Sequence, residues 1–371
     1  MRPLVFTLGA CALIAVTAAL PAPAQIGFSA TYDAGRPIKL KGIATAIDWV
    51  NPHAFLYMNV SDTAGSVVRW AVEIGDPIDL EHDGWKPTVV HVGDEITVDG
   101  LLAREPVRQA FAKSVMSKTG AKLFTATAKK SASAAAPAPR WPDGQVRLGP
   151  EPGKKGYWGK ASASSLVEKG GQPIAMNEEG ILKNILDADR VAPFQPWAKA
   201  VYELRQRTLL KDDPLLRCLP AGGPRQFQTP HGFQFVEQKE LGRVLILLGG
   251  GDRNWRAIYT DGRPQGEAAE VVRSYYGNSV GHWEKDTLVV DSIGYNEKFW
   301  LASGGLPSTE ALHLTERFTR SDLNTLKYEV TVDDPRTYTR PWTGGWTVQW
   351  VPGEEIQEYF CEENAEQTFV R

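Results

Sequence analysis

The sequence has few cysteines and no second or third metal ligand beside them. Only three cysteines occur among the 371 residues, and Cys11 lies in an apolar run at the N-terminus. Neither Cys218 nor Cys361 has another cysteine or a histidine at the spacing that zinc sites require. In an oxidising compartment, an even pair of cysteines is more typical of a disulfide than of free thiols. We therefore predict a Cys218–Cys361 disulfide, no metal site and no cofactor.

Motifs that would name a reaction are also missing. The glycine run at residues 249–251 lacks the Lys-Ser/Thr of a P-loop and lies between two predicted strands, which favours a hairpin turn. No Gly-x-Ser-x-Gly nucleophile motif occurs. The six histidines are scattered and show no metal-ligand spacing. The sequence alone therefore assigns no chemistry.

Charge of one sign does not dominate either. The chain has 41 basic and 44 acidic residues and a formal net charge of −3. This balance lacks the basic footprint of proteins that bind nucleic acids or anionic membranes. We expect a small-molecule partner rather than a nucleic acid, and the oligomeric state is left open.

The N-terminus has the three parts of an export signal. Arg2 is followed by an uncharged apolar run over residues 4–20, and then small residues stand at Ala22 and Ala24. The alternative is a membrane anchor, but the run is shorter than the roughly 20 apolar residues that span a bilayer. We predict a signal peptide over residues 1–24, no membrane span, and a periplasmic or secreted protein.

A low-complexity segment at residues 131–139 divides the rest of the chain. It has no large apolar residue and reads as part of a linker over residues 131–175. The first unit, residues 26–130, shows three strand patterns, a short helix and two further strands, which is the order of a small OB-like barrel. The length of the chain agrees with two domains.

The second unit, residues 176–371, opens with helical patterns and continues as β-structure. Apolar residues at helical spacing occur over residues 180–188 and 197–210. Strand patterns follow at residues 233–238, 243–248, 255–260, 287–292, 311–318 and 326–332. We predict a mainly β protein whose second domain is a larger antiparallel, lipocalin-like barrel or a sandwich.

Two families are similar to these units. Residues 36–125, with a Trp-x-Asn-Pro-His type motif at residues 49–53, resemble a domain of unknown function from exported proteins of Gram-negative bacteria. Residues 218–222, the Trp-Glu-x-Asp-Thr-Leu-Val-Val-Asp motif at 283–291, and residues 358–361 resemble an exported bacterial family without an assigned role. Histidines of that second pattern are replaced here by Asn278, Ser308 and Glu362. The resemblances imply export and bring no reaction.

Glu316 is the most suggestive single residue. Alternation places it on the same face as Leu312, Leu314 and Phe318, which is the face expected to be buried. A buried carboxylate either has a raised pKa, as suits a general acid or base, or forms an ion pair with an arginine such as Arg256 or Arg263.

Further candidate site residues are those expected to act with Glu316 or to lie near it, together with aromatic residues and one histidine of the first unit. Asp291 or His282 would share proton transfer with Glu316 in an enzyme, and predicted ligand contacts are Arg256, Tyr259, Arg263 and Trp283. In the first unit, His53 is either a turn histidine or a ligand contact. On a strand, Trp342, Trp346 and Trp350 share one face, which makes them core or the aromatic wall of a binding site.

Three functions remain open. The first is an exported protein that binds a small, partly apolar or aromatic compound in a barrel cavity. The second is a cofactor-independent acid–base enzyme of isomerase, lyase or cyclase type, whose acid and base converge on a substrate. The third is a structural or interaction module, for which we expect a filled interior.

Overall fold

The protein is described by a computed structural model over residues 31–49, 54–61, 65–75, 77–82, 84–104, 108–125, 136–161, 165–171, 174–177, 179–251, 255–267, 272–357, 359 and 361. The predicted signal peptide and His53 lie outside these residues.

The first unit is a small closed sheet with one short helix. Its elements are β1 (Tyr32–Asp48), β2 (Ala54–Ser61), β3 (Val67–Gly75), α1 (Pro77–His82), β4 (Glu95–Ala103), β5 (Gln109–Ser117) and β6 (Lys122–Thr125). The strand order is β3-β2-β1-β4-β5-β6, and a parallel pairing of β3 with β5 closes the sheet. The predicted order of three strands followed by a short helix is confirmed, but three strands rather than the predicted two follow the helix, because the short β6 is a separate strand.

Glycines allow this small barrel to close tightly. A Cβ atom on Gly100 of β4 would lie 2.1 Å from the carbonyl oxygen of Phe111 on β5, so no other residue fits there. The core on the inner face is apolar and includes the fully buried Leu56, Met58 and Val98.

The second unit is a nine-stranded closed barrel. Its strands are β7 (Gly156–Trp158), β8 (Phe233–Gln238), β9 (Arg243–Leu248), β10 (Trp255–Tyr259), β11 (Asn278–Glu284), β12 (Thr287–Ile293), β13 (His313–Arg320), β14 (Thr325–Asp333) and β15 (Trp342–Pro352). The order around the barrel is β10-β11-β12-β13-β14-β15-β7-β8-β9. The predicted antiparallel barrel is confirmed, except that β10 and β11 run parallel.

The β13–β14 hairpin has the register that its alternation predicts. Leu314 pairs with Val332, and Phe318 pairs with Tyr328. These inward side chains are all buried, whereas the residues between them face the outer wall. A shift by one residue would expose the whole apolar set, so burial fixes this register.

The predicted linker is shorter in the structure than in the sequence interpretation. Residues 156–158 form β7, which pairs with β15 and β8. Trp158 is fully buried there and lies edge-on against Trp350, with ring centroids 4.9 Å apart. Leu148 and Leu166, also within the predicted linker, belong to the same core. The Gly-, Pro- and Lys-rich composition hid a strand only three residues long.

The predicted second helix forms as α2 (Pro196–Arg207). Its buried face carries Ala198, Tyr202 and Gln206, while Trp197 and Leu204 on the sequence-derived apolar stripe are 46% and 61% exposed. Gln206 tolerates burial because its amide group bonds to the backbone of Leu182 and of two glycines. The predicted helix over residues 180–188 is a 3-10 helix, Ile185–Arg190.

The predicted disulfide is confirmed. Cys218 and Cys361 are bonded, with their Cα atoms 5.5 Å apart, and the bridge closes a sequence separation of 143 residues. A disulfide is typical of proteins outside the reducing cytosol. Among the helices that the structure describes, none has the length and apolar character needed to cross a membrane.

Candidate functional site

A polar cluster lies inside the second barrel. Five successive strands, β10 to β14, each contribute one inward polar side chain: Arg256, Ser279, Ser292, Glu316 and Tyr328. All five are buried, and Glu316 and Ser292 are 0% exposed. Each occupies an inward position of its strand, which is why they meet despite wide separations in sequence.

Arg256 and Glu316 form a bidentate ion pair. Nη1 of Arg256 donates to Oε1 of Glu316 at 3.1 Å, and Nη2 donates to Oε2. The hydroxyl of Tyr328 donates to Oε1 of the same carboxylate at 2.9 Å. The carboxylate is therefore held by three hydrogen-bond donors, two from Arg256 and one from Tyr328.

The guanidinium is bound on its other edge by two serines. Nε and Nη2 of Arg256 donate to Oγ of Ser279 at 3.1 and 2.9 Å, and Nη2 also donates to Oγ of Ser292 at 2.8 Å. Burial opposes the charge on Arg256, but the adjacent carboxylate of Glu316 outweighs it and raises the pKa of the guanidinium. Burial, and then the charge of Glu316, raise the pKa of Tyr328 well above 10.

This ion pair spans a thin seam of the barrel. Strands β10 and β11 meet at one register pair, Tyr259 with Val280. By contrast, β12 and β13 pair continuously from Thr287–Thr319 to Ser292–Leu314. Because Arg256 lies on β10 and its acceptors lie on β11, β12 and β13, its side chain joins the strands across the seam.

The space beside the ion pair is filled by the protein's own aromatic rings. Phe227 lies 4.7 Å from Phe233 between ring centroids, and Phe318 lies 5.2 Å from Tyr328. Tyr328 in turn lies 5.1 Å from Trp346. The tryptophans of β15 thus contribute to the core, and these rings occupy the region where a ligand cavity was expected.

The other predicted acid–base residues lie on the outer wall. Oδ1 of Asp291 accepts a hydrogen bond from Nε2 of His313 at 2.6 Å, and both side chains are over one-third exposed. His282 lies 3.3 Å from Glu284, which also accepts from Arg317 at 2.7 Å. Hydrogen bonds from Arg317 first, and from His282 second, lower the pKa of Glu284.

The structure therefore does not bring the predicted site residues together. Glu316 and Arg256 meet inside the barrel, whereas Asp291 and His282 lie on the opposite face of the same sheet.

The remaining predicted ligand contacts have other neighbours. Arg263 lies over the ring of Tyr259 at 3.8 Å and also pairs with Asp261, while Trp283 packs half-buried against the core.

A groove of about 360 Å³ lies on the outer wall, across β13, β14 and β15. Its lining residues are Lys169, Arg317, Thr319, Lys327, Tyr328, Glu329, Gly345, Trp346 and Thr347.

The groove exists because Gly345 leaves a gap in the outer wall. The outward residues of one row across the strands are Arg317, Glu329 and Gly345. A Cβ atom on Gly345 would lie 2.2 Å from the carbonyl oxygen of Tyr328, so the position accepts only glycine.

One rim of the groove comes from outside the three strands. The backbone nitrogen of Lys169 donates to the carbonyl oxygen of Thr343 at 2.8 Å, which places this segment beside β15. The ammonium of Lys169 then pairs with Glu329. Sequence alternation identifies Arg317, Thr319, Lys327 and Glu329 as outward residues, but nothing in the sequence joins them to a lysine of the predicted linker.

One family model matches part of the chain. Residues 13–112 match the model of a family described only as being of unknown function (DUF6152). That match covers most of the first unit and none of the second barrel. No curated protein and no solved structure matches the chain.

Proposed function

We propose that this is a periplasmic or secreted binding protein that holds a small hydrophilic molecule in the groove of the barrel's outer wall. The groove itself is the observation that carries the proposal. Its volume of about 360 Å³ falls in the range of small-molecule sites, roughly 300–1,000 Å³. The charged and hydroxyl-bearing side chains of its outward residues favour a hydrophilic ligand rather than the partly apolar one expected from the sequence.

The filled barrel interior supports this placement. A ligand inside the barrel would have to displace rings such as Phe227 and Phe318, which pack 5.6 Å apart between centroids. It would also have to replace the hydrogen bonds of Arg256 and Glu316, which are already paired with each other. Binding on the outer wall costs neither set of interactions.

The acid–base alternative has less support. Its three candidate residues, Glu316, Asp291 and His282, would need to reach one substrate position within about 3–5 Å. They lie on opposite faces of the sheet, and Glu316 is 0% exposed. The hypothesis of a purely structural module also agrees with the filled interior. The groove is the feature that favours a binding protein over a structural module.

The test is a titration of the full chain with candidate ligands, in which NMR signals of threonine methyl groups report binding. Thr319 and Thr347 line the groove and report on it directly. The probes are glucose, glucuronate, glycerol and glutamate, each added separately. We expect at least one probe to shift these two methyl signals in a saturable manner.

Two variants locate the effect. Thr347→Phe places a ring in the groove and should abolish the shift of the remaining Thr319 methyl signal, because Thr347 is an exposed lining residue. Thr339→Phe makes the same change at an exposed position outside the lining and should leave binding intact. The proposal fails if no probe moves the groove signals, or if both variants behave alike.

A further inference from the structure

The groove has more positive than negative charge. Three cations line it, Lys169, Arg317 and Lys327, against one carboxylate, Glu329. Arg317 also pairs with Glu284 just outside the lining. Counting that partner, the groove has one cation in excess.

The excess charge resides on Lys327. Lys169 is paired with Glu329, and Arg317 donates to Glu284 at 2.7 Å. Within the part of the chain that the structure describes, the exposed ammonium of Lys327 has no ion-pair partner. It is therefore the cation that can bind an anion without breaking an existing pair.

Hydroxyl groups stand on both sides of this lysine. Thr319 on β13 pairs in register with Lys327 on β14, which pairs in register with Thr347 on β15. Cβ atoms of such directly opposed residues are about 4.5–5.5 Å apart. The rim thus presents a hydroxyl, an ammonium and a hydroxyl in a row across the strands. The Thr319 hydroxyl shares a 2.7 Å hydrogen bond with the Thr287 hydroxyl, and a hydroxyl has the capacity for more than one such bond.

From this arrangement, and resting on the proposed function of the groove, we infer that the ligand is a small monoanionic carboxylate that bears hydroxyl groups. Its carboxylate binds the ammonium of Lys327, and its hydroxyls bond to Thr319 and Thr347. A neutral polyol leaves Lys327 without a counter-charge. A dianion has a second negative charge that would also need a cation. That charge would have to displace Glu329 from Lys169 or Glu284 from Arg317, because both of these cations are already paired.

Three probes of similar size separate the contributions of charge and hydroxyls. Glucuronate has both groups, glucose has hydroxyls without a carboxylate, and cyclohexanecarboxylate has a carboxylate without hydroxyls. Binding is measured on the full chain by isothermal titration and by the methyl signals of Thr319 and Thr347. We expect glucuronate to bind about tenfold or more tightly than either comparator, since a hydrogen bond to a charged group is a strong one.

Lys327→Gln tests the proposed anchor. It should weaken glucuronate about tenfold, leave glucose unchanged and remove most of the salt dependence of glucuronate binding. Lys298→Gln removes an exposed lysine outside the groove and should change none of these values.

The outcomes distinguish this inference from the proposed function. If glucose and glucuronate shift the groove signals with equal affinity, or if Lys327→Gln weakens neither, the monoanion inference is wrong while the groove remains a binding site. The same inference is overturned if Lys298→Gln weakens glucuronate as much as Lys327→Gln does. If none of the probes in either panel shifts the groove signals, both proposals fail.

Discussion

The guanidinium of Arg256 and the carboxylate of Glu316 form a buried bidentate pair that joins β10 to β13. The pair crosses the seam where β10 and β11 share one register pair of backbone residues. A side-chain bond thus supports the barrel wall where the backbone ladder is thinnest. This position accounts for a fully buried charge pair in a core that is otherwise mostly aromatic and aliphatic.

Glu316→Gln should lower stability without abolishing ligand binding in the groove. Removing one charge leaves Arg256 buried and unpaired, which costs about 3–5 kcal/mol of the free energy of unfolding. Urea unfolding followed by far-UV circular dichroism measures the loss.

Two control variants test the cause of that loss. Glu329→Gln removes an exposed pairing partner and should cost at most about 1 kcal/mol. Replacing Arg256 and Glu316 together by methionine and leucine should recover most of the lost stability. Equal effects of the buried and exposed single variants would contradict the seam account.

Cys218→Ser and Cys361→Ser should each destabilise the protein by about the same amount. The bond closes a loop of 143 residues in sequence separation, for which the chain-entropy model gives about 4–5 kcal/mol. Chemical unfolding of the wild-type protein with and without dithiothreitol should show an equal loss. A further loss when dithiothreitol is added to either variant would contradict this assignment.

The stability of the protein should depend on pH through His313 and its partner Asp291. The hydrogen bond to Asp291 is the main cause that raises the pKa of His313 above 6.5, against a smaller effect of burial; the charge of Asp333 also contributes. Because the folded-state pKa is raised, the stabilisation is present at pH values below about 6.5 and is lost as the pH rises through the folded-state pKa.

The expected size of this effect is small. Both side chains are more than one-third exposed, so the contribution is at most about 1 kcal/mol. Asp291→Asn should lower the pKa of His313 in an NMR titration and reduce stability at pH 5.5 but not at pH 9. An unchanged histidine pKa in the variant would contradict the account.

The boundary of the second domain gives a further prediction. A fragment of residues 136–371 contains β7 and should fold, whereas a fragment of residues 176–371 lacks it and should not. Loss of the fully buried Trp158 alone is worth about 3–5 kcal/mol. Cooperative thermal unfolding of the two fragments, measured side by side, decides the point. Cooperative folding of the shorter fragment would show that the second domain does not need β7, and would contradict this prediction.

Strands with clear alternation could be predicted from the sequence, and short or polar strands could not. The β13–β14 hairpin has a burial pattern that allows one register. Strand β11 has the sequence Asn-Ser-Val-Gly-His-Trp-Glu, in which two of the three inward positions are taken by Ser279 and Gly281 and only the half-buried Trp283 is large and apolar. Such a strand forms because it pairs and packs with neighbouring strands, and its own sequence shows only a weak strand pattern.

The sequence narrows the ion-pair partner of Glu316 to arginines such as Arg256 and Arg263 but does not choose between them. Arg256 alternates with Ile258 on β10 and so faces inward, whereas Arg263 lies beyond the end of that strand. The outer groove was missed for a different reason. It depends on the gap at Gly345 and on Lys169 lying beside β15, and both are tertiary features.

The central claim is that ligands bind to the outer wall and not inside the barrel. The most direct measurement compares glucuronate binding by Glu316→Gln and Thr347→Phe, using the remaining groove methyl signal of Thr319 in both variants. The account predicts that Thr347→Phe loses binding, while Glu316→Gln keeps the wild-type affinity despite its lower stability. Loss of binding in Glu316→Gln, with full retention in Thr347→Phe, would place the site inside the barrel and contradict the account.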